Sequence, residues 1–137
     1  MKAFSKSTYV QNHYNSMSPA RVVLALYDGV LVNIQRAVDA LDAKDLPVQG
    51  EAVSKSLQIV AELQASLNLD EGGEVGAALF RLYDYVTMEL VRANMHDDRD
   101  GLMMCGSLIQ EVRDGWSEMM QSPEANQALN KSNSGYV

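Results

Sequence analysis

The stretch RDGLMMCGSLIQEVRDGWSEMM, Arg99 to Met120, places apolar residues at Leu102, Cys105, Ile109, Val112, Trp116 and Met119. The intervals alternate three and four throughout, so all six fall along one side of an α-helix. A seam of that regularity is what a helix presents to its neighbours in a packed bundle. Asp97 or Asp98, just ahead of it, supplies a side-chain acceptor for the free N–H groups of the first turn.

Three further segments upstream carry the same period. The first opens at Ser18-Pro19, a capping serine followed by proline at the first helical position, and runs to about Ala43. Its stripe is Val23, Tyr27, Val30, Ile34, Ala37 and Leu41. The second spans about Pro47 to Asn68, with Val53, Leu57, Val60, Leu63 and Leu67 on one face. Asp70-Glu71-Gly72-Gly73 then predicts a turn. The third runs from about Glu74 to Met95 on Leu79, Leu82, Val86, Leu90 and Ala93. With 3 prolines and few β-branched runs, strands have no foothold. Short connections make successive helices antiparallel neighbours. The expected fold is all-α, an antiparallel up-down-up-down four-helix bundle over residues 17–120. Residues 1–16 are expected to form a flexible tail bearing Phe4, Tyr9 and Tyr14. Residues 121–137, rich in Ser, Asn and Gln, have little to bury and are expected to be disordered.

The chain has 137 residues, 47% of them apolar, which suffices for one domain with its own core. A single cysteine, Cys105, excludes an internal disulfide and suits a reducing compartment. Asp28, Asn33 and Arg36 interrupt the richest apolar stretch before it reaches the length of a membrane span. The N-terminal residues lack the apolar run of a signal peptide, so the expected location is cytoplasmic. A net charge of −7, with the 11 basic residues scattered, argues against nucleic acid.

The first and third helices carry more apolar surface than a simple stripe needs. On the first, Val22 and Leu26 widen one flank, and Leu24, Leu31 and Val38 the other. On the third, Phe80, Tyr83, Tyr85, Met88 and Val91 stand beside the stripe. Either both helices are central and use the extra width for packing, or part of the arc forms a groove for an apolar partner segment. The two helices also share a string, Leu26-Tyr27-Asp28-Gly29-Val30 against Leu82-Tyr83-Asp84-Tyr85-Val86. In parallel helices these stand at related heights, and the tyrosines fill space while their hydroxyls seek a polar partner.

Signals for chemistry fail on inspection. His13 and His96 lack the Glu-x-x-His spacing of a di-metal bundle, and His96 suits a helix C-terminus. Asp98, Asp100 and Gly101 have the relative positions of a calcium loop, but His96 and Ser107 stand where its two acidic anchors belong. Cys105 lies on the apolar seam as a small core residue. Gly72-Gly73 lacks the spacing and lysine of a phosphate loop. The reading is a protein without catalytic residues, metal, cofactor or small-molecule substrate.

Read together, these residues resemble the flagellin-specific export chaperone family (FliS). The likeness rests on Ser18-Pro19, Leu26-Tyr27-Asp28-Gly29, Ile59, Glu62-Leu63, Ser66-Leu67-Asn68 and Gly72-Gly73-Glu74. It continues through Leu82-Tyr83-Asp84-Tyr85, Ala93-Asn94 and Arg113 with Trp116, in order over residues 4–120. Ala20 and Arg21 depart from it where the family often carries an acidic residue, and beyond Gln121 there is no family pattern. The resemblance implies a helical bundle that binds the disordered C-terminal region of flagellin. It implies that binding prevents polymerisation in the cytoplasm and keeps the subunit competent for the type III export gate. It also implies that the N-terminal tail, with Tyr9 and Tyr14, covers part of the groove until substrate arrives. The groove residues expected on the bundle are Leu24, Leu31 and Val38, with Tyr27 and Tyr83 shared between groove and core. Other classes open to the same pattern are an adaptor or regulator for a different partner segment, a metal-carrying or enzymatic bundle, and a self-associating structural bundle.

Overall fold

The computed structural model describes residues 18–122, and the expectations for residues 1–17 and 123–137, Tyr9 and Tyr14 included, lie outside it. Among the described residues four helices follow one another: α1 Pro19–Asp42, α2 Leu46–Ala65, α3 Leu69–Met95 and α4 Arg99–Met120. Each begins where a side chain closes a free N–H group. Ser18 Oγ accepts from Arg21 N–H at 3.3 Å, and Asp45 Oδ1 from Val48 N–H at 3.3 Å. Asn68 Oδ1 accepts from Glu71 N–H at 3.1 Å, and Asp98 Oδ1 from Gly101 N–H at 3.1 Å. Of the two candidate caps for α4, Asp98 is therefore the one used.

The α1–α2 and α3–α4 connections share one construction. Lys44 and Asp97 take left-handed conformations, with φ of 58° and 50°. The N–H of the following aspartate then reaches back to the helix just ended, Asp45 to Ala40 O and Asp98 to Ala93 O, each at 2.8 Å. This closes the last carbonyls of one helix, and the same aspartate caps the next. Gln49 ties the two connections together, its Nε2 donating to Asn94 Oδ1 and Asp97 Oδ1 at 3.0 Å each.

Two boundaries differ from the periodicity. α2 stops at Ala65, because Asn68 is drawn off to cap α3. α3 accordingly starts at Leu69 and makes one turn before it breaks at Gly73 (φ 58°, ψ −139°), a conformation essentially restricted to glycine. The turn expected at Gly72-Gly73 is thus a kink of one residue inside the helical segment.

The helices form the antiparallel up-down-up-down bundle. α1 packs on α2 and α4, and α3 on the same two helices with less extensive contact, leaving α1 and α3 on the diagonal. Across that diagonal the two shared strings meet: Tyr27 Oη and Tyr83 Oη are 2.5 Å apart, both rings fully buried. Each tyrosine thereby satisfies the other's hydroxyl, which would otherwise be costly in an apolar core. Trp116 stands edge-on to Tyr27 with ring centroids 6.5 Å apart, and its Nε1 donates to Ala20 O at 2.8 Å. Leu102, Cys105, Ile109 and Trp116 of the α4 seam are buried, whereas Met119 is 42% exposed. A straight helix drifts about 20° per heptad against a strict three-four repeat, which carries the end of the seam off the core.

Candidate functional site

Beside its core face, α1 carries a line of Leu24, Asp28, Leu31, Gln35, Val38 and Asp42, spaced four and three residues apart. This line looks across at α4. Asp28 Oδ1 accepts from Arg113 Nε at 2.9 Å. Asp42 takes a two-point contact from Arg99, Nε to Oδ1 at 2.9 Å and Nη2 to Oδ2 at 3.2 Å. The partner carboxylates hold both guanidiniums above their ordinary pKa. The two ion pairs are about four helical turns, roughly 21 Å, apart along the bundle.

Between them the surface sinks into a groove of about 280 Å³. Leu31, Ile34, Gln35 and Val38 line it from α1, and Met103, Gly106, Ser107 and Gln110 from α4. Gly106 makes the depression. A Cβ there would meet Ile34 Cγ2 at 3.5 Å, ordinary contact, so alanine fits and anything longer fills the hollow. Both glutamine side chains on the rim are already engaged: Gln35 donates to Asp39 at 2.9 Å and Gln110 to Asp114 at 2.8 Å. What the groove offers is apolar floor, a sulfur atom at Met103 and polar walls. That suits the apolar face of a peptide segment better than a small molecule, whose sites usually enclose about 300–1,000 Å³ and converge several free polar groups.

Leu24, Leu31 and Val38 therefore lie on one line, Leu24 and Leu31 half-buried against the core and Val38 buried to 2% exposure at the groove floor. Tyr27 and Tyr83 lie elsewhere, meeting in the core, with no surface turned to a partner in this arrangement. The α4 wall was not singled out by sequence. Arg99, Met103, Gly106, Gln110 and Arg113 do follow each other at intervals of four and three. Their mixed chemistry, cation, thioether, glycine and amide, hides the line from any search for apolar periodicity.

A second apolar surface lies on α3. Tyr85 is 46% exposed, Met88 72%, Val91 42% and Met95 73%. Cys105, by contrast, is enclosed, and burial pushes its thiol up to about 12, far from a nucleophile's range. Among the described residues no group of His, Cys, Asp or Glu is placed to hold a metal ion, and no helix is long and apolar enough to cross a membrane.

A family model described as flagellar protein FliS matches residues 1–123. The flagellar secretion chaperone FliS of Salmonella typhimurium is 31% identical over 91% of this chain and 91% of its own length. That of Bacillus subtilis is 32% identical over 85% of this chain and 86% of its own. The flagellar secretion chaperone FliSB of Pseudomonas aeruginosa is 30% identical over 78% of this chain and 85% of its own. A crystal structure of a bacterial flagellar chaperone, 19% identical, superposes with a TM-score of 0.71 over 88% of this chain and 98% of that one, a likeness of fold.

Proposed function

The chain belongs to the flagellar protein FliS family, and from that premise we propose that it is a secretion chaperone that holds the disordered C-terminal region of flagellin. Holding that region keeps the subunit from polymerising in the cytoplasm and leaves it competent for the flagellar export gate. The observation that carries the reading is the open groove between α1 and α4, apolar along its floor and bounded at each end by an Asp–Arg pair.

The energetics favour an extended site. A disordered segment that folds on binding gives up about 2–5 kcal/mol in ordering alone. Each apolar side chain fully buried returns about 1.5–3 kcal/mol. Several anchors along one groove are needed, and Leu24, Leu31 and Met103 supply a row of them, with the buried Val38 beneath as floor, over roughly 21 Å, the length of a four-turn helix. Tyr9 and Tyr14, preceding α1, would lie over part of this row in the free protein and be displaced by substrate.

Calorimetric titration with full-length cognate flagellin, and with flagellin lacking its C-terminal segment, tests the function. Binding to the first and none to the second is expected, while equal binding to both refutes the assignment of the segment. The site is tested separately by Leu24→Ser with Leu31→Ser and by Gly106→Met. Both variants should remain folded and bind at least about tenfold more weakly. Unchanged affinity in both would place the flagellin segment elsewhere on the bundle.

A further inference from the structure

Sulfur in this chain is distributed unevenly between core and surface. Among the described residues Met88, Met95, Met103, Met104 and Met119 are exposed. Cys105, the single cysteine, is enclosed, and burial keeps its thiol from ionising. Thiols react with peroxides as thiolates. An oxidant of the hydroperoxide class therefore meets exposed thioethers before it meets the thiol.

Met103 differs from the other four in where it stands. It is 45% exposed and forms part of the α4 wall of the groove, whereas Met88 and Met95 stand on the outer side of α3. Its sulfur also has a donor. Arg99 Nη1 donates to Met103 Sδ at 3.1 Å, while Nε and Nη2 of the same guanidinium hold Asp42. A thioether is a weak acceptor for that N–H. A sulfoxide oxygen in its place is a strong one, and Arg99 can serve it through Nη1 without releasing Asp42.

We propose that Met103 is a reversible oxidation site, at which a hydroperoxide forms a sulfoxide that weakens the hold of the groove on its partner segment. The proposal rests on the reading of that groove as the flagellin site. A lone pair of the sulfur attacks the nearer peroxide oxygen, the O–O bond breaks and an S–O bond forms. The sulfur gives up two electrons, and the outer oxygen leaves with the proton of the inner one, as water when the oxidant is hydrogen peroxide. Held by Arg99, the new oxygen stays at the wall of the groove instead of turning out to water. A segment that buries an apolar side chain against the thioether must then cover a polar group. A dithiol-dependent sulfoxide reductase reverses the change: the oxygen leaves as water and two thiols become a disulfide. Oxidation of Met88 or Met95 puts oxygen where water already stands and leaves the groove as it was.

Calorimetric titration with full-length cognate flagellin, before and after hydrogen peroxide, tests this, with sulfoxide at each methionine quantified by peptide mass spectrometry. Conversion of Met103 should lower affinity about tenfold with the helical circular dichroism unchanged. Methionine sulfoxide reductases of both stereospecificities, with dithiothreitol, should restore it. Met103→Leu, whatever its own affinity, should give one value before and after peroxide, while Met88→Leu with Met95→Leu should stay peroxide-sensitive. In the flagellin complex Met103 should oxidise about tenfold more slowly than in the free chain, since susceptibility follows exposure, and Met88 at an unchanged rate. Full affinity with Met103 oxidised overturns the proposal, and so does sensitivity that persists in Met103→Leu, equal Met103 rates in complex and free chain, or loss of helix on oxidation. Absence of binding by the untreated chain fails the flagellin reading and this proposal together, whereas binding indifferent to oxidation fails this proposal alone.

Discussion

α1 and α3 begin from nearly the same sequence facts and end in different environments. Both carry an apolar arc wider than a stripe, and both carry the Leu-Tyr-Asp string. α1 buries its arc almost entirely: Val22, Val23, Leu26, Tyr27, Val30, Ile34, Ala37 and Val38 are all in the core. α3 buries Tyr83, Val86, Leu90 and Ala93 and leaves Tyr85, Met88, Val91 and Met95 in solvent. The difference lies in the neighbours. α2 and α4 close tightly around α1 and more loosely around α3. A wide apolar arc therefore marks a helix that has more than one use for its surface, and does not say whether the use is packing or docking.

The sharpest break in this comparison is between adjacent tyrosines of one string. Tyr83→Ala or Tyr27→Ala should cost about 3–5 kcal/mol by opening the core. Tyr85→Ala, two residues along α3, should stay within about 0.5 kcal/mol. Urea unfolding midpoints measure both, and similar losses at Tyr83 and Tyr85 would erase the distinction.

Removing only the hydroxyls sharpens it. Tyr27→Phe or Tyr83→Phe leaves a buried hydroxyl without its partner and should cost about 1–2 kcal/mol each. The double variant should cost clearly less than the sum, because neither hydroxyl is then stranded. Additive losses in the cycle would mean that the 2.5 Å contact contributes nothing of its own.

Alkaline pH tests the same pair without mutation. Burial raises the pKa of Tyr27 and of Tyr83, and burial also lifts Cys105 to about 12. Groups raised in the folded state contribute stability that is full below their unfolded values and lost as pH rises through the folded ones. Unfolded cysteine titrates near about 8.5 and tyrosine near about 10. Stability should therefore be level through neutral pH with respect to these groups, and fall above about 8.5 and more steeply above about 10. The Tyr27→Phe, Tyr83→Phe double variant should lose the steeper part, and an unaltered alkaline limb would contradict the burial of the pair.

The smallest expected effect is on the outer face of α3. Met88→Ser and Met95→Ser should change stability by no more than about 0.5 kcal/mol, read by thermal unfolding. A larger loss at either would show that this face is covered in the free protein.

Much of the bundle was legible because its signals are local. The α4 stripe, the Ser18-Pro19 start and Asp98 act within one or two turns of themselves, so they survive without knowledge of the rest. Reading the shared string gave tyrosines at related heights with hydroxyls in need of partners, but not that each is the other's partner. The candidate site was legible on one side only. Leu24, Leu31 and Val38 stand out as apolar residues off the main stripe, whereas Met103, Gly106 and Gln110 become a wall only when α4 lies beside them.

By itself the sequence determined the four helices of the described residues, most of their ends and which face of each turns inward, because helical period and capping depend on residues a few places apart. It also carried the family likeness in its ordered short motifs. Only the tertiary structure decided that the spare apolar surface of α1 goes largely inside while that of α3 stays out. It alone set the groove between two Asp–Arg pairs and joined Tyr27 to Tyr83. Those outcomes depend on the distances between helices far apart in the chain, and burial is a property of neighbours.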